Sequence, residues 1–476
     1  MVRAGIPLLP ADRSADGRRK AWLVAALLVA VASQTVLALA YGALDSASRD
    51  RWTVALGLCV VLSLPTAGML WAGWRARHLQ TDWSIVVAVA ASGLLMRLPY
   101  LGAGPMLEDD HFRFLLDGAM VAQGLNPYAL SPEALLGRAE GVPADLLAAG
   151  RDAIARINFP DLRSIYPGTA QILFAIAHRL APWSIDGLRL VVLASEILTG
   201  FLLWRTLVAT GRPPALVTFY WCNPLMAFTL TGQAHVDAAI VPPILAALFA
   251  ATWGRGAVSG LLLALATGIK LWPVLLLPLV ARALWPKPRS LVAFGLVYGA
   301  TTLVLCGPLV VESLSPATRT TAGLTAYAAG WSVNNAPYAW LSWLFLQGFG
   351  AGTGDLILRA LLIAAAAGLG LFIAIRPLTE ATDLIARAAV VGAALFYLSP
   401  TQFPWYAVWF VPLAIAGGRW PIVAATIGLP VYYLFFPLAA AGLRDIHAYG
   451  VASLHLLPLI AVALWGRQTV LRGATS

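Results

Sequence analysis

Apolar runs separated by short polar breaks follow one another along almost the whole chain. A run of about 20 apolar residues is the length that crosses the hydrocarbon of a bilayer as a helix. The pattern predicts helices at about 21–44, 52–74, 83–101, 186–208, 214–231, 236–253, 256–269, 271–284, 291–312, 356–375, 385–399, 403–417, 420–438 and 448–466. Several of these fall short of a full span. The short ones carry Pro or Gly at their ends, notably Pro273, Pro400, Pro404 and Pro421, which fits broken helices shielded by their neighbours. Residues 168–180 are also apolar but short, and a crossing there would put His178 and Arg179 on the wrong side, so the segment reads as re-entrant or interfacial. The first run follows Arg18, Arg19 and Lys20 and contains Ala38-Leu39-Ala40; its apolar length favours a retained span over a cleaved signal peptide.

Composition makes lipid the solvent. Of 476 residues, 60% are hydrophobic and 11% charged, which leaves too little polar surface for a water-facing domain of this length. The expected fold is an all-α polytopic membrane protein of about fourteen helices, within a range of 12–14. It divides into an N-terminus (1–20), two additional N-terminal helices (21–81), one membrane domain (82–466) that includes a loop at about 102–186, and a C-terminus (467–476). The net charge of +10 sits in small groups between apolar runs and forms no continuous stripe, so it reads as a topology signal and not as a nucleic-acid surface. Placing both termini in the cytoplasm puts eighteen of the 32 Lys and Arg residues inside, with at least one in every inside segment. Cys59, Cys222 and Cys306 all fall in apolar runs and have neither the number nor the spacing of a disulfide framework or a zinc site.

That topology sends the unusual polar groups to the opposite face. The long loop holds ten of the 22 acidic residues, and a polar loop of this length beside a membrane usually carries function. Its Glu108-Asp109-Asp110-His111-Phe112-Arg113 stretch begins just as the third helix leaves the membrane. Adjacent carboxylates at an interface of reduced dielectric can raise one pKa and make a competent base, although an acidic cluster after a helix can equally be a solvated lip. On the same face lie Gln233-Ala234-His235-Val236-Asp237, Lys270, Trp331-Ser332-Val333-Asn334-Asn335 and Ser399-Pro400-Thr401-Gln402-Phe403-Pro404-Trp405-Tyr406. Lys270 is a candidate cation for a phosphate, against the alternative of a snorkelling interfacial lysine. Tyr166, Trp331, Trp405 and Tyr406 suit a sugar platform, or else the aromatic belt of a bilayer. Glu196, mid-helix, is costly in lipid and reads as a structural ion-pair or hydrogen-bond partner facing the bundle interior.

The series Asp109-Asp110, Arg113, Asp117-Gly118, Gly124-Leu125-Asn126-Pro127-Tyr128 and Ile165-Tyr166-Pro167 resembles the first outer loop of bacterial GT-C superfamily glycosyltransferases. The nearest likeness is to polyprenyl-phosphate-mannose-dependent mannosyltransferases. Further matches follow in order: Trp221-Cys222-Asn223-Pro224-Leu225, His235-Val236-Asp237-Ala238, Gly268-Ile269-Lys270-Leu271-Trp272-Pro273, then Leu398-Ser399-Pro400 with Pro404-Trp405-Tyr406, so the likeness covers about residues 83–420. Two features depart from the family layout: two extra helices precede the loop, and His111 stands where an apolar residue is expected.

The resemblance implies a GT-C-like bundle and a transfer with inversion, from a polyprenyl-phosphate-linked hexose, mannose above all, to a glycolipid or polysaccharide acceptor. The reaction would take place on the outer face of a bacterial cytoplasmic membrane. It implies that an acidic residue of the first outer loop is the base; Asp109 and Asp110 both fit the motif position, with Asp110 favoured. Lys270, Arg113 and His235 are the candidates for the donor phosphate, with Asp237 available to orient His235. Asp237, Tyr166, Asn334, Asn335, Gln402, Trp405 and Tyr406 are candidates for the sugar or acceptor. No cofactor, metal or nucleic acid is expected. The competing readings are a transporter or flippase of lipid-linked glycans, which should place ionisable groups near the midplane and often shows inverted repeats, and a polymerase or ligase of whole glycans.

Overall fold

In the computed structural model, residues 13–79, 82–137, 142–315, 321–350 and 352–474 are described. Arg3 and Glu140, counted above among the basic and acidic groups, lie outside them. The described residues form helices throughout, apart from one isolated parallel bridge between Val333 and Thr401.

Helices α1 (Arg13–Leu39) and α2 (Trp52–Ala76) make an antiparallel hairpin. Helix α3 (Trp83–Leu95) starts at Asp82, whose carboxylate accepts the Ile85 N–H at 3.0 Å and thereby satisfies a donor that the first turn cannot. The same carboxylate binds Lys20 at 2.6 Å, tying α3 to α1. The long loop is itself helical: α4 (Asp110–Ala122), α5 (Pro132–Gly137), α6 (Ala144–Ala155) and α7 (Gly168–Leu180). Helix α7 is the segment expected to be re-entrant or interfacial; at 13 residues it is too short to span, and it packs along α4. The chain re-enters the bundle as α8 (Ile185–Ala209).

Among the described residues, eight helices are long and apolar enough to cross a membrane, or nine if one bent pair counts as a single span. They match eight of the fourteen expected segments, from 21–44 to 448–466. The others are helical but broken. Segments 214–231 and 236–253 belong to a chain that turns by 104° between Pro224–Gly232 and Val236–Thr252. The break has local causes: the first piece loosens into a π-helical turn at Phe228–Gly232, and Ala234 adopts φ +60°. Segments 256–269, 271–284 and 403–417 are the short apolar helices Gly256–Thr267, Trp272–Leu284 and Pro404–Gly417, and 385–399 lies in the 18-residue helix Ala381–Leu398. Such breaks are tolerated at membrane depth only where protein surrounds them, and residues 215–241 are continuously buried. Beyond the long loop, two α-helices among the described residues have no counterpart among the expected spans, Gly323–Gly330 and Ala336–Phe349.

Glu196 finds the partner its cost demands. It pairs with Arg97 of the α3 exit at 2.6 Å, both side chains fully buried, and its second oxygen accepts from Thr231. Arg97 also donates to the carbonyls of Gly93 and Trp221 and lies 4.2 Å from the centre of the Trp221 ring.

Candidate active site

The breaks converge on one cavity of about 390 Å³. Asp110, at the first turn of α4, lines it; so do Asp237 from the bent element, Lys270 from the Gly268–Leu271 connection, and Trp405, Tyr406 and Trp409 from the turn after Pro404. A smaller cavity of about 90 Å³ adjoins it, lined by Arg113, Asn158 and the 162–166 turn. Asp110 and Tyr166 line both. Ile363 and Val274 of the larger cavity's wall are 61% and 42% exposed on the outside of the bundle, so that wall continues onto the surface that meets lipid.

The two neighbouring aspartates part company here. Asp109 lines neither cavity: Asn158 donates to one of its oxygens at 2.8 Å, and the Arg49 guanidinium stands 3.7 Å from the other. Asp110 keeps about a third of its side chain accessible (36%), on the cavity side. Removal from water, and then the negative charge of Asp109, push its carboxyl up to about 6. Glu108 is more deeply buried, touches Tyr432 at 3.3 Å, and is pushed up to about 8 by that burial, so at neutral pH it is protonated. His111 is buried against Phe112 with ring centroids 4.0 Å apart, and burial lowers it to about 3; it is an uncharged packing group, as its apolar position suggested.

The loop that carries Asp110 is held by buried polar contacts. Asp117, about two turns further along α4 from Asp110, accepts from Ser164 and, at 3.0 Å, from Gln171 of α7. Tyr128 donates to the Tyr166 carbonyl at 2.8 Å, which fixes the Ile165-Tyr166-Pro167 turn over the cavity. Phe114 stacks on Phe174 with centroids 4.6 Å apart.

Lys270 is paired, not lone. Its ammonium binds Asp237 at 2.6 Å and sits 4.0 Å above the Tyr406 ring. Asp237 also accepts from the Trp409 indole at 2.8 Å, so it anchors the lysine and does not touch His235. His235 is instead fixed by its Nδ1, 2.6 Å from the Thr229 carbonyl oxygen, and by stacking on Trp405 at 3.8 Å. That contact requires the proton on Nδ1 and leaves Nε2 as an acceptor 4.0 Å from Asp110. Arg113 faces the smaller cavity, away from Lys270, and donates to the Leu162 carbonyl at 2.7 Å.

Asn334, Asn335 and Gln402 are buried and line neither cavity. The Asn334 and Asn335 amides donate to the Gln402 and Pro400 carbonyls, and Gln402 donates to Tyr397, so together they bind one loop to another around the Val333–Thr401 bridge. Tyr327, Trp409 and Asn158 were not singled out as site residues from the sequence, yet all three meet it. Tyr327 bonds Tyr406 at 3.2 Å and Thr401 at 2.8 Å. Trp409 carried a readable signal, since it follows Tyr406 by one turn.

Fold and site together define a multi-pass membrane protein with a carboxylate of its long polar loop set over a cavity that opens onto the lipid-facing surface. Residues 19–286 match the family described as alpha-(1->6)-mannopyranosyltransferase, N-terminal domain, and the chain belongs to that family. It is similar to alpha-(1->6)-mannopyranosyltransferase B of Corynebacterium glutamicum, with 26% identity over 388 residues. The match covers 71% of this chain, which spans 60% of that relative's length. No solved structure matches. The family match includes α1 and α2, which the sequence had set apart as additional.

Proposed function

We propose that this protein is an inverting membrane mannosyltransferase that moves mannose from a polyprenyl-phosphate carrier to a hydroxyl of a glycolipid or polysaccharide. The reaction takes place on the extracytoplasmic face, with both termini in the cytoplasm. The observation that carries the reading is that Asp110 alone of the acidic cluster stands where the two cavities meet. The large cavity, with its apolar wall running out to lipid, suits a donor whose tail stays in the membrane and whose sugar-phosphate enters. The smaller one suits the acceptor.

In this reading the acceptor oxygen attacks the anomeric carbon from the Asp110 side as the carbon–oxygen bond to phosphate breaks on the other. The hydroxyl proton passes to Asp110 and the bonding electrons leave with the lipid phosphate. An ammonium has three donors, so Lys270 keeps two beyond its bond to Asp237 for the phosphate oxygens, and Tyr406 below it limits where they can sit. Tyr166, Trp405 and Tyr406 line the cavity that would take the sugar. With His235 and Phe403 stacked on Trp405, and Lys270 and Trp409 on Tyr406, these rings shape its wall more than they offer free faces.

A transporter would keep an ionisable group free in the bundle. Glu196, the charge that favoured that alternative, is fully engaged with Arg97 and Thr231.

Purified protein, supplied with a panel of polyprenyl-phosphate sugars and total membrane lipids, is expected to yield a mannosylated product by mass spectrometry. Asp110→Asn should lower the rate about 10²–10⁴-fold, the usual range for loss of a general base. Asp109→Asn should retain most of it. Undiminished transfer by Asp110→Asn would remove the base from this scheme.

A further inference from the structure

The hairpin of α1 and α2 reaches the acidic cluster directly. Its connecting turn is set by Asp45, whose carboxylate accepts the Ser48 N–H at 2.9 Å. The Leu44 carbonyl in the same turn accepts the Leu107 N–H at 2.8 Å, where Leu107 is held at φ +56°. Tyr41 fills the space beside Gly104. These contacts bring Arg49 to within 3.7 Å of Asp109, with its guanidinium 5.1 Å from the centre of the Phe436 ring. Asn158 takes the other Asp109 oxygen from the opposite side. Asp109 is thus held between an amide and a cation, one residue from the carboxylate that meets both cavities.

We propose that Arg49 is a positioning residue for the transfer reaction: by engaging Asp109 it offsets a negative charge beside Asp110 and so sets the pH at which Asp110 becomes a base. The inference rests on Asp110 being that base. The other groups around Asp110 are Glu108 on its own segment, His235 at 4.0 Å, and Lys270 and Asp237 from the bundle. Arg113 and the phenols of Tyr166, Tyr327 and Tyr432 complete the set. Arg49 differs from all of these in belonging to the N-terminal hairpin and in contacting Asp109 from outside the cavities.

The sign follows from Coulomb's law. A negative neighbour raises a carboxyl pKa and a positive one lowers it. Losing Arg49 leaves Asp109 less compensated, so Asp110 holds its proton to higher pH and the acid limb of activity moves up. Losing the Asp109 charge moves it down.

The test is the pH profile of kcat/KM for the full-length protein with polyprenyl-phosphate mannose as donor. Arg49→Gln is expected to shift the acid limb up by about half a unit to one unit, and Arg49→Lys to restore most of it. Asp109→Asn should shift the limb down, and Arg49→Gln in the Asp109→Asn background should add a smaller upward shift than in the wild type, because the guanidinium has lost the partner that holds it beside the cluster. A uniform loss of rate in Arg49→Gln with an unmoved limb overturns the proposal in favour of a purely structural role. If Arg49→Gln does not fold, an unmoved limb in Asp109→Asn overturns it alone. Asp110→Asn is the control: if it is active, the base assignment fails and this inference with it, whereas if it is inactive and the other limbs do not move, only this inference fails.

Discussion

Asp109 and Asp110 are separated by one peptide unit and by a large difference in environment. Asp109 is fixed by an amide and a guanidinium and lines neither cavity, while Asp110, facing a cavity beside a second negative charge, binds its proton more tightly than in water. With Asp110 pushed up to about 6, the active, deprotonated form gains on the protonated one as pH rises through that value. Transfer should therefore fall away below about pH 6 and level off above it, a profile that initial rates across pH 4.5–8 would check (about one and a half to two units either side of the limb). An acid limb near the ordinary carboxylate value of about 3.9 would mean that Asp110 is solvated during turnover. The sequence could name this pair because adjacent carboxylates after an apolar run are visible in one dimension. It could not separate the two, since the Arg49 and Asn158 contacts come from distant parts of the chain. The same limit explains Asn334, Asn335 and Gln402: an amide in a loop reads as a sugar ligand until the second loop that uses it is known.

At the scale of elements, the position of Asp110 depends on how closely α4 lies on α7. Gly118 permits that approach, because a Cβ there would overlap the Phe174 carbonyl, which is main chain and cannot swing aside. Replacing Gly118 by Ala should push the two helices apart and displace Asp110 from the junction of the cavities. A displacement of about 1 Å at a reacting group can cost about 10²-fold in rate. The expected result is a folded enzyme with a markedly lower kcat; wild-type kcat in Gly118→Ala would show that α4 is positioned from elsewhere. Asp117-Gly118 was legible as a motif, but its reason was not, since the neighbouring helix was read as an isolated interfacial segment. Hydropathy located the long spans for a simple reason: an apolar run of full length has one stable place in a bilayer. It gave less about the broken elements. The 104° turn at 232–236 comes from the π-helical end at Phe228–Gly232 and the backbone at Ala234, neither of which changes the hydropathy of the run.

For the whole molecule, the buried pair of Arg97 and Glu196 is the strongest test of whether this bundle is a scaffold or a conduit. Both groups are withdrawn from solvent, and the guanidinium ties the exit of α3 to α8 and to the Trp221 carbonyl. Removing one partner of such a pair strands the other, at a cost of about 3–5 kcal/mol, whereas replacing both by apolar groups of similar size is often close to neutral. Glu196→Ala should therefore lower the melting temperature in detergent well below that of the double variant Arg97→Met with Glu196→Leu. The double variant should also keep mannosyl transfer, because neither residue lines the cavities around Asp110 and Lys270. A bundle that moves ions or lipid-linked sugars by using Glu196 would also fold with the apolar pair but would lose its activity. Thermal melting and transfer assays on the same two variants separate the cases, since a scaffold couples the pair to stability and a conduit couples it to function.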